Sequence, residues 1–407
     1  MSILFLSNGH GEDACGAAIA SELMKLTELN IIALPIIGMG QPYINVGIPV
    51  VGPHQLTPME GLIYKRPKAM LKETAGGLAR LLIEQIKFLR QITPTVSTVV
   101  AVGDVVPLIM NRLGTKKPVH YVSIAKSAYY TNGKKTMLKA DELWALNGYG
   151  QTIFFRDEFT ATCARKQRPN LNIYFVGNPM MDTFSLDQTG FSELSSPIIT
   201  ILPGSRQSAL TSLKQLLSII SLVLKKLPHI NLIVSKAPQL RWEQVNNIIL
   251  ATNWQPKAEF PSDSDHYYVY DNSSTLVVTE RFGAALAACD LVIGLAGTAN
   301  EQAVGLGKLV ISFPTDDSKF AVKFLDAQER LLGKSLHAVY SREPKEISSK
   351  IIDVITNLGQ YQLATTDGIK RMGDGPGAAE RIAHIIADSM PDKRRNISAE
   401  DSNCVFM

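Results

Sequence analysis

The chain has few cysteines and histidines, and those present are scattered. Its four cysteines, Cys15, Cys163, Cys289 and Cys404, lie far apart and form no paired spacing of the kind found in zinc sites. A disulfide framework is therefore not expected, and free thiols in a reducing compartment fit better. A His-Glu-x-x-His motif and a Walker-type loop, Gly-x-x-x-x-Gly-Lys-Ser/Thr, are also missing. We expect no metal ion and no other cofactor.

Long apolar runs are missing as well. No uncharged apolar stretch approaches the roughly 20 residues that a membrane-spanning helix needs. The run Ile3-Leu4-Phe5-Leu6 after Met1 is short for a signal peptide and has no basic leader. We therefore expect a cytoplasmic protein. A formal net charge of +4 is too small to indicate nucleic-acid binding by itself.

What the chain does have is a regular alternation of apolar runs and helical patterns. Its 407 residues suit two domains, each with its own core. The apolar runs predict strands at 3–7, 30–37, 97–103, 118–123, 173–177, 197–203, 230–235, 267–270, 290–295 and 308–313. Strands that alternate with helices predict parallel sheets covered on both faces. The predicted class is α/β, with two Rossmann-like domains facing across a cleft.

The domain boundary is placed in the polar stretch from Ser185 to Ser196. We expect an N-terminal domain over 1–185 and a C-terminal domain over 186–370. A helix over 371–390 is expected to brace the two lobes, and the polar, charged segment 391–407 is expected to be disordered.

The first predicted strand leads into a glycine-rich turn that begins a helix. The turn residues are Gly9, His10, Gly11, Glu12 and Asp13. Backbone N–H groups in such a turn can approach an anionic or sugar ligand. A dinucleotide site would need an acidic residue about 20 positions later, where the chain has Ile36-Ile37-Gly38. A turn that only packs strand against helix also remains open.

The predicted C-terminal domain contains two further strand-to-helix turns. The first has Gly204, Ser205 and Arg206, and the second has Gly297, Thr298 and Ala299, followed by Glu301 and Gln302. Two helix N-termini and an arginine form a combination that holds a diphosphate. The alternative is that both are ordinary connections.

Asp104 follows the strand residues 98–103 directly. A carboxylate at the carboxyl end of a parallel strand can accept a hydroxyl proton in a ligand crevice. The alternative is a helix cap. His120, inside the run Val119-His120-Tyr121-Val122, is expected to be a satisfied core histidine.

A basic, apolar stretch runs from Gly61 to Arg90. It has seven Lys or Arg against two Glu, interleaved with leucine, isoleucine and other apolar residues. Such a stretch can lie on anionic lipid headgroups, and the expected membrane contacts are Lys65, Arg66, Lys68 and Lys72. A solvated helix face explains the same pattern.

Taken together, these motifs resemble the lipid-A-disaccharide synthase family, which are glycosyltransferases of GT-B architecture. The resemblance extends to about residue 390. The segments that carry it are Asp13–Ala18, Val102–Asp104, His120–Ser123, Phe175–Asp182, Leu202–Arg206 and Gly297–Ala299.

The resemblance implies an inverting transfer of an acylated glucosamine from a UDP-sugar to a lipid-linked acceptor at the cytoplasmic membrane face. By position, Asp104 is the catalytic base, and the turns at Gly204-Ser205-Arg206 and Gly297-Thr298-Ala299 bind UDP without a metal. Glu301 and Gln302 lie where a ribose-binding glutamate is expected, and Gly9 to Asp13 form the acceptor loop.

The chain also departs from the family pattern. Its first loop is Asn8-Gly9-His10-Gly11-Glu12-Asp13, Gln302 replaces the expected glutamate, and Asn178 replaces a histidine. These differences predict a divergent relative with a different acceptor. A UDP-sugar 2-epimerase and a non-catalytic nucleotide- or lipid-binding protein remain as alternatives.

Overall fold

The computed structural model describes residues 1–55, 77–186, 191–204, 208–257, 265–271, 273–315 and 322–390. They form two compact units. Unit 1 combines 1–128, 133–183 and the chain from 376 onward, and unit 2 combines 129–132 with 184–375. Three predicted features lie outside the described residues: the tail 391–407, the membrane contacts Lys65, Arg66, Lys68 and Lys72, and the turn residues Ser205 and Arg206. The predicted domain boundaries stay a prediction.

Unit 1 is built on a parallel sheet with the strand order β2-β1-β3-β4-β5-β6. Its elements are β1 (Ser2–Ser7), α1 (His10–Met24), β2 (Asn30–Pro35), α2 (Gln41–Asn45), α3 (Leu78–Ile92), β3 (Val96–Gly103), α4 (Val105–Leu113), β4 (Val119–Ser123), α5 (Ala140–Leu146), β5 (Gly150–Phe155), α6 (Glu158–Gln167) and β6 (Ile173–Tyr174). Every strand pairs with its neighbour in parallel.

Both faces of this sheet are buried, which explains the continuous apolar runs in its strands. Successive side chains of a strand point to opposite faces. Leu4 and Leu6 pack with Leu89 of α3 and Leu108 of α4. Ile3 and Phe5 pack on the other face, in a core that also contains residues of α1 and of the last helix of the chain.

Unit 2 has a larger sheet with the strand order β14-β13-β12-β7-β8-β11-β10-β9. Its elements are β7 (Ile198–Leu202), α7 (Ala209–Leu224), β8 (Asn231–Ser235), α8 (Trp242–Leu250), β9 (Gln255–Pro256), β10 (His266–Tyr270), β11 (Ser274–Thr279), α9 (Phe282–Ala288), β12 (Leu291–Gly294), α10 (Gly297–Gly305), β13 (Leu309–Ser312), α11 (Val322–Leu332), β14 (Leu336–Ala338), α12 (Pro344–Thr356) and α13 (Gln362–Arg371). Among the described strands, β10 pairs in antiparallel fashion with β11 and with β9, and the other pairings are parallel.

The last described helix, α14 (Ala378–Asp388), returns the chain to unit 1. Its apolar side, with Ile382 and Ile386, packs in the same core as Ile3 and Phe5. The Asp182 carboxylate accepts the backbone N–H groups of Gly377 and of Ala379, the latter at 2.8 Å. A side chain distant in sequence therefore caps this helix.

The predicted α/β class with two Rossmann-like domains is confirmed. Cys15, Cys163 and Cys289 are free thiols. Within the described parts of the chain, each helix is either too short or too polar to cross a membrane.

Candidate nucleotide-sugar site and candidate base

The two predicted turns of unit 2 follow directly after neighbouring strands of the sheet. β12 pairs with β7 in parallel, with Gly294 opposite Leu202. The backbone N–H of Leu295 donates to the carbonyl of Leu202 at 2.9 Å, which continues the pairing into the turns. Gly204 has φ +101°, and a Cβ there would lie 3.9 Å from the carbonyl oxygen of Leu295. The structure therefore brings the described parts of the two turns together at one sheet edge.

Side chains hold the second turn in place. Asn300 of α10 is fully buried, and its Nδ2 donates to the carbonyl of Gly294 at 3.2 Å and to Gln328 Oε1 at 3.1 Å. Gln328 Nε2 donates in turn to the carbonyl of Gly297 at 3.0 Å. Ser312 Oγ also donates to Gly294, at 2.7 Å. This buried network fixes where α10 begins.

The N-terminus of α10 has the features of an anion site. Among the described residues no side chain caps it, and its first turn, which starts at Gly297, has no acidic residue. The first N–H groups of a helix lack partners within the helix, and the helix dipole adds positive potential there. Thr298 is exposed and Ala299 is partly exposed at this end. The geometry therefore suits a phosphate group.

Glu301 and Gln302 lie further along α10. They are only 7% and 8% exposed. The predicted ribose contact by either side chain stays a prediction.

In unit 1, Asp104 is the N-cap residue of α4. One carboxylate oxygen, Oδ1, accepts the N–H of Val106 at 2.9 Å and Nδ2 of Asn8 at 3.2 Å. Burial raises the pKa of this carboxyl above its ordinary value, and the two hydrogen bonds counteract part of that rise. The side chain is only partly buried. Asp104 is therefore a helix cap whose geometry and pKa also suit a general base.

A partly buried ion pair lies near Asp104. Glu142 is fully buried and pairs with Lys126, and it also accepts the Tyr121 hydroxyl at 3.0 Å. The negative charge of Glu142 raises the pKa of Asp104, and the positive charge of Lys126 lowers it. The two residues have no motif spacing, so the sequence does not indicate this pair.

The first loop of unit 1 separates into an exposed part and a buried part. His10 and Gly11 are exposed at the start of α1, where Gly9 has φ +129°. Asp13 is 2% exposed and accepts the Ser7 hydroxyl at 2.6 Å, and Ser7 accepts the Tyr43 hydroxyl at 3.0 Å. Burial raises the pKa of Asp13 to about 7. Asp13 thus supports the turn from within, rather than pointing outward to an acceptor.

Two motif residues of unit 1 have structural partners. His120 is buried, with Nδ1 2.8 Å from Thr152 Oγ1, and burial lowers its pKa to about 4. The prediction of a satisfied core histidine is confirmed. Asn178, which replaces the histidine of the family, is buried and accepts the N–H of Met180 at 3.2 Å.

The predicted basic, amphipathic stretch is described only from residue 77 onward. There it forms α3, whose apolar residues Leu81 and Leu89 are buried in the core of unit 1. These residues are not available to lipid. Lys65, Arg66, Lys68 and Lys72 lie outside the described residues, so their membrane contact stays a prediction. Within the described ranges, no group of three or more His, Cys, Asp or Glu side chains is arranged to hold a metal ion.

Solved structures share this fold. S. aureus MnaA in a co-structure with UDP is 12% identical, with 95% of each chain covered and a TM-score of 0.59. UDP-GlcNAc 2-epimerase from Neisseria meningitidis bound to UDP-GlcNAc is 13% identical over 95% of this chain and 99% of its own, with a TM-score of 0.56. The spinosyn rhamnosyltransferase SpnG with spinosyn aglycone is 13% identical over 95% and 100%, also at 0.56.

No curated protein sequence matches the chain significantly. The sequence model of the lipid-A-disaccharide synthetase family matches residues 164–303, a segment that contains both turns of unit 2. The resemblance found in the motifs is thereby confirmed for about a third of the chain. The protein therefore has the GT-B fold, and its residues 164–303 resemble the lipid-A-disaccharide synthetase family.

Proposed function

We propose that the protein is an inverting glycosyltransferase, which moves a sugar from a UDP-sugar to a lipid-linked acceptor. The observation that carries the proposal is the adjacency of Gly204 and the start of α10, at the carboxyl ends of two paired strands. Both turns lie within the segment matched by the synthetase family. An acylated glucosamine is the donor sugar that this family suggests.

In the proposed mechanism, Asp104 accepts the proton of the acceptor hydroxyl as that oxygen attacks the anomeric carbon. The bond to the UDP oxygen breaks, and the diphosphate gains negative charge. The N–H groups at Gly297, Thr298 and Ala299, together with Gly204, Ser205 and Arg206, stabilise that charge. Glu301 or Gln302 bonds the ribose. We propose that no metal or other cofactor takes part.

A UDP-sugar 2-epimerase is the second candidate. The N. meningitidis epimerase and the rhamnosyltransferase match this chain with the same TM-score of 0.56, so the fold is equally compatible with both activities. The two activities differ in product. An epimerase converts one nucleotide sugar into another, whereas a transferase needs an acceptor and releases UDP.

A screen of UDP-sugars for protection against thermal unfolding tests the nucleotide site. The best donor is then incubated with membrane lipids, and the products are identified by mass spectrometry. Arg206→Ala should lose most of the protection, and Arg241→Ala, an exposed arginine of the same unit, should retain it. A glycosylated lipid supports the proposal. Protection without any sugar transfer or epimerisation would instead indicate a binding protein.

We also propose that the protein acts at the cytoplasmic membrane face, through Lys65, Arg66, Lys68 and Lys72. Co-flotation with vesicles that contain anionic lipid should decrease when these four residues are replaced by glutamine, and it should decrease with salt. Replacing four exposed lysines of unit 2, Lys323, Lys334, Lys345 and Lys370, by glutamine is the matched control. If binding depends neither on lipid charge nor on the four substitutions, this membrane contact is contradicted.

A further inference from the structure

Asn8 is the first residue of the first loop and contacts the candidate base, and the sequence motifs give it no separate role. It follows β1 directly and is only 4% exposed. Its Nδ2 donates to Asp104 Oδ1 at 3.2 Å across 96 positions of sequence. Its own Oδ1 is buried and accepts no hydrogen bond from any described residue. A buried polar atom without a partner has a cost in stability, so this position is not optimised for folding alone.

The bonds to Asp104 are unevenly distributed over its two oxygens. Oδ1 accepts two donors, the Val106 N–H at 2.9 Å and the Asn8 amide at 3.2 Å. Within the described part of the chain, no group donates to Oδ2. The two bonds fix the carboxylate plane and occupy one oxygen, and the other oxygen keeps its lone pairs for an incoming proton.

We infer that Asn8 is a positioning residue for Asp104, which holds the carboxylate so that Oδ2 is the oxygen that takes the acceptor proton. This inference rests on the proposed role of Asp104 as the base. Asn8 acts through Asp104 and needs no contact with substrate. Its amide donates to the charged form, so it also keeps Asp104 ionised at lower pH than burial alone would allow.

Other charged and titratable groups surround Asp104 and set the background for this effect. Glu142 of α5, Lys126 after β4 and Tyr121 of β4 interact with it electrostatically. Glu12 of α1 lies over Gly103, where a Cβ would be 2.8 Å from Glu12 Cγ. None of these groups is changed by a substitution at Asn8, so a shift seen in an Asn8 variant reports on the Asn8 amide.

The test compares the pH dependence of kcat in three full-length variants with that of the unmodified protein. Asn8→Ala should move the acid limb of the profile upward by about one pH unit and lower the plateau roughly tenfold, with little change in KM. Asn8→Asp, which keeps the shape of the side chain, should move the limb further, because it places a second carboxylate beside the first. Asn111→Ala is the matched control: Asn111 is fully buried in α4 and bonds the Lys117 carbonyl at 3.0 Å.

The control variant should lose thermal stability and keep the pH profile. If the profiles of Asn8→Ala and Asn8→Asp also coincide with that of the unmodified protein, Asn8 does not position Asp104.

A titration of ¹³C-labelled aspartate by NMR, with Asp104→Asn used to assign the signal, needs no turnover. If the pKa of Asp104 rises in the Asn8 variants but the protein has no transferase activity, the interaction between Asn8 and Asp104 is supported and the proposed function is rejected. If the pKa of Asp104 is the same in the Asn8 variants and the unmodified protein, Asn8 does not act on Asp104.

Discussion

At Asp104, one side chain combines a helix cap with a carboxyl of raised pKa. The two roles are separable, because asparagine caps helices as well as aspartate does but cannot accept a proton at neutral pH. Asp104→Asn should therefore keep the stability and the UDP binding while kcat falls by about 100- to 10,000-fold.

Steady-state kinetics and UDP titration check this prediction. Asp104→Ala is the companion variant, and it should lose about 1 kcal/mol of stability with the cap. A kcat for Asp104→Asn close to that of the unmodified protein would show that Asp104 only caps α4.

At Gly294, the candidate nucleotide-sugar site depends on the absence of a side chain. A Cβ at this position would lie 1.8 Å from Asn300 Oδ1, so an alanine displaces Asn300 from its bonds. Gly294→Ala should lower the free energy of unfolding by about 1–3 kcal/mol and weaken UDP protection, since the start of α10 shifts.

Gly359→Ala is the control, because a Cβ there meets nothing within 4 Å. Urea unfolding and UDP titration of both variants measure the effects. Equal UDP affinity in Gly294→Ala and the unmodified protein would argue against α10 as the diphosphate contact.

At the scale of the elements, the motif around Asp182 serves the last helix. Asp182 caps α14, and Arg381 Nε of that helix donates to the Val176 carbonyl at 2.6 Å. Asp182→Ala should lower stability by about 1–2 kcal/mol and increase hydrogen exchange in 378–388, because two N–H groups lose their acceptor.

The exposed Asp353, which pairs with Lys350 at 2.9 Å, provides the comparison. Asp353→Ala should cost little stability, because an exposed ion pair is screened by solvent. Equal losses in the two variants would mean that the cap contributes no more than a surface pair.

The strands that the sequence predicted are those with uniformly apolar runs. Four strands were missed: β5 begins with Gly150-Gln151, β11 has polar residues at both ends, and β9 and β14 have only two and three residues. The run 173–177 is a strand only at Ile173–Tyr174. An apolar run predicts a buried segment well. It does not predict a strand with polar ends, because such a strand is stabilised by pairing with neighbouring strands of the sheet.

At the scale of the whole molecule, stability depends on pH through buried groups with opposite effects. The pKa of His120 is about 4 when folded and 6.5 in the unfolded reference, so its neutral form favours folding. This contribution is complete above pH 6.5 and is lost as the pH falls through about 4. One pKa unit corresponds to about 1.4 kcal/mol, so the loss is roughly 3 kcal/mol.

Asp13 behaves in the opposite way. Its pKa is raised to about 7, so its favourable protonated form is present at low pH and is lost as the pH rises from 3.8 through about 7. His120→Gln should flatten the decrease in stability between pH 6.5 and 4, and Asp13→Asn should steepen it. Urea unfolding across this range measures both. Curves parallel to that of the unmodified protein would contradict these assignments.

The amino-acid sequence by itself determined the α/β class, both turns of unit 2, the position of Asp104 at a strand end and the burial of His120. These features follow from local periodicity, glycine position and contiguous motifs, which are properties of short segments. The tertiary structure decided that Asn8 and Asp104 meet across 96 positions, that Lys126 pairs with Glu142, and that Asp13 turns inward to Ser7. The first contact arises because β1 and β3 are paired side by side, and the other two arise from packing around the ends of strands. No local pattern encodes which side chains then become neighbours.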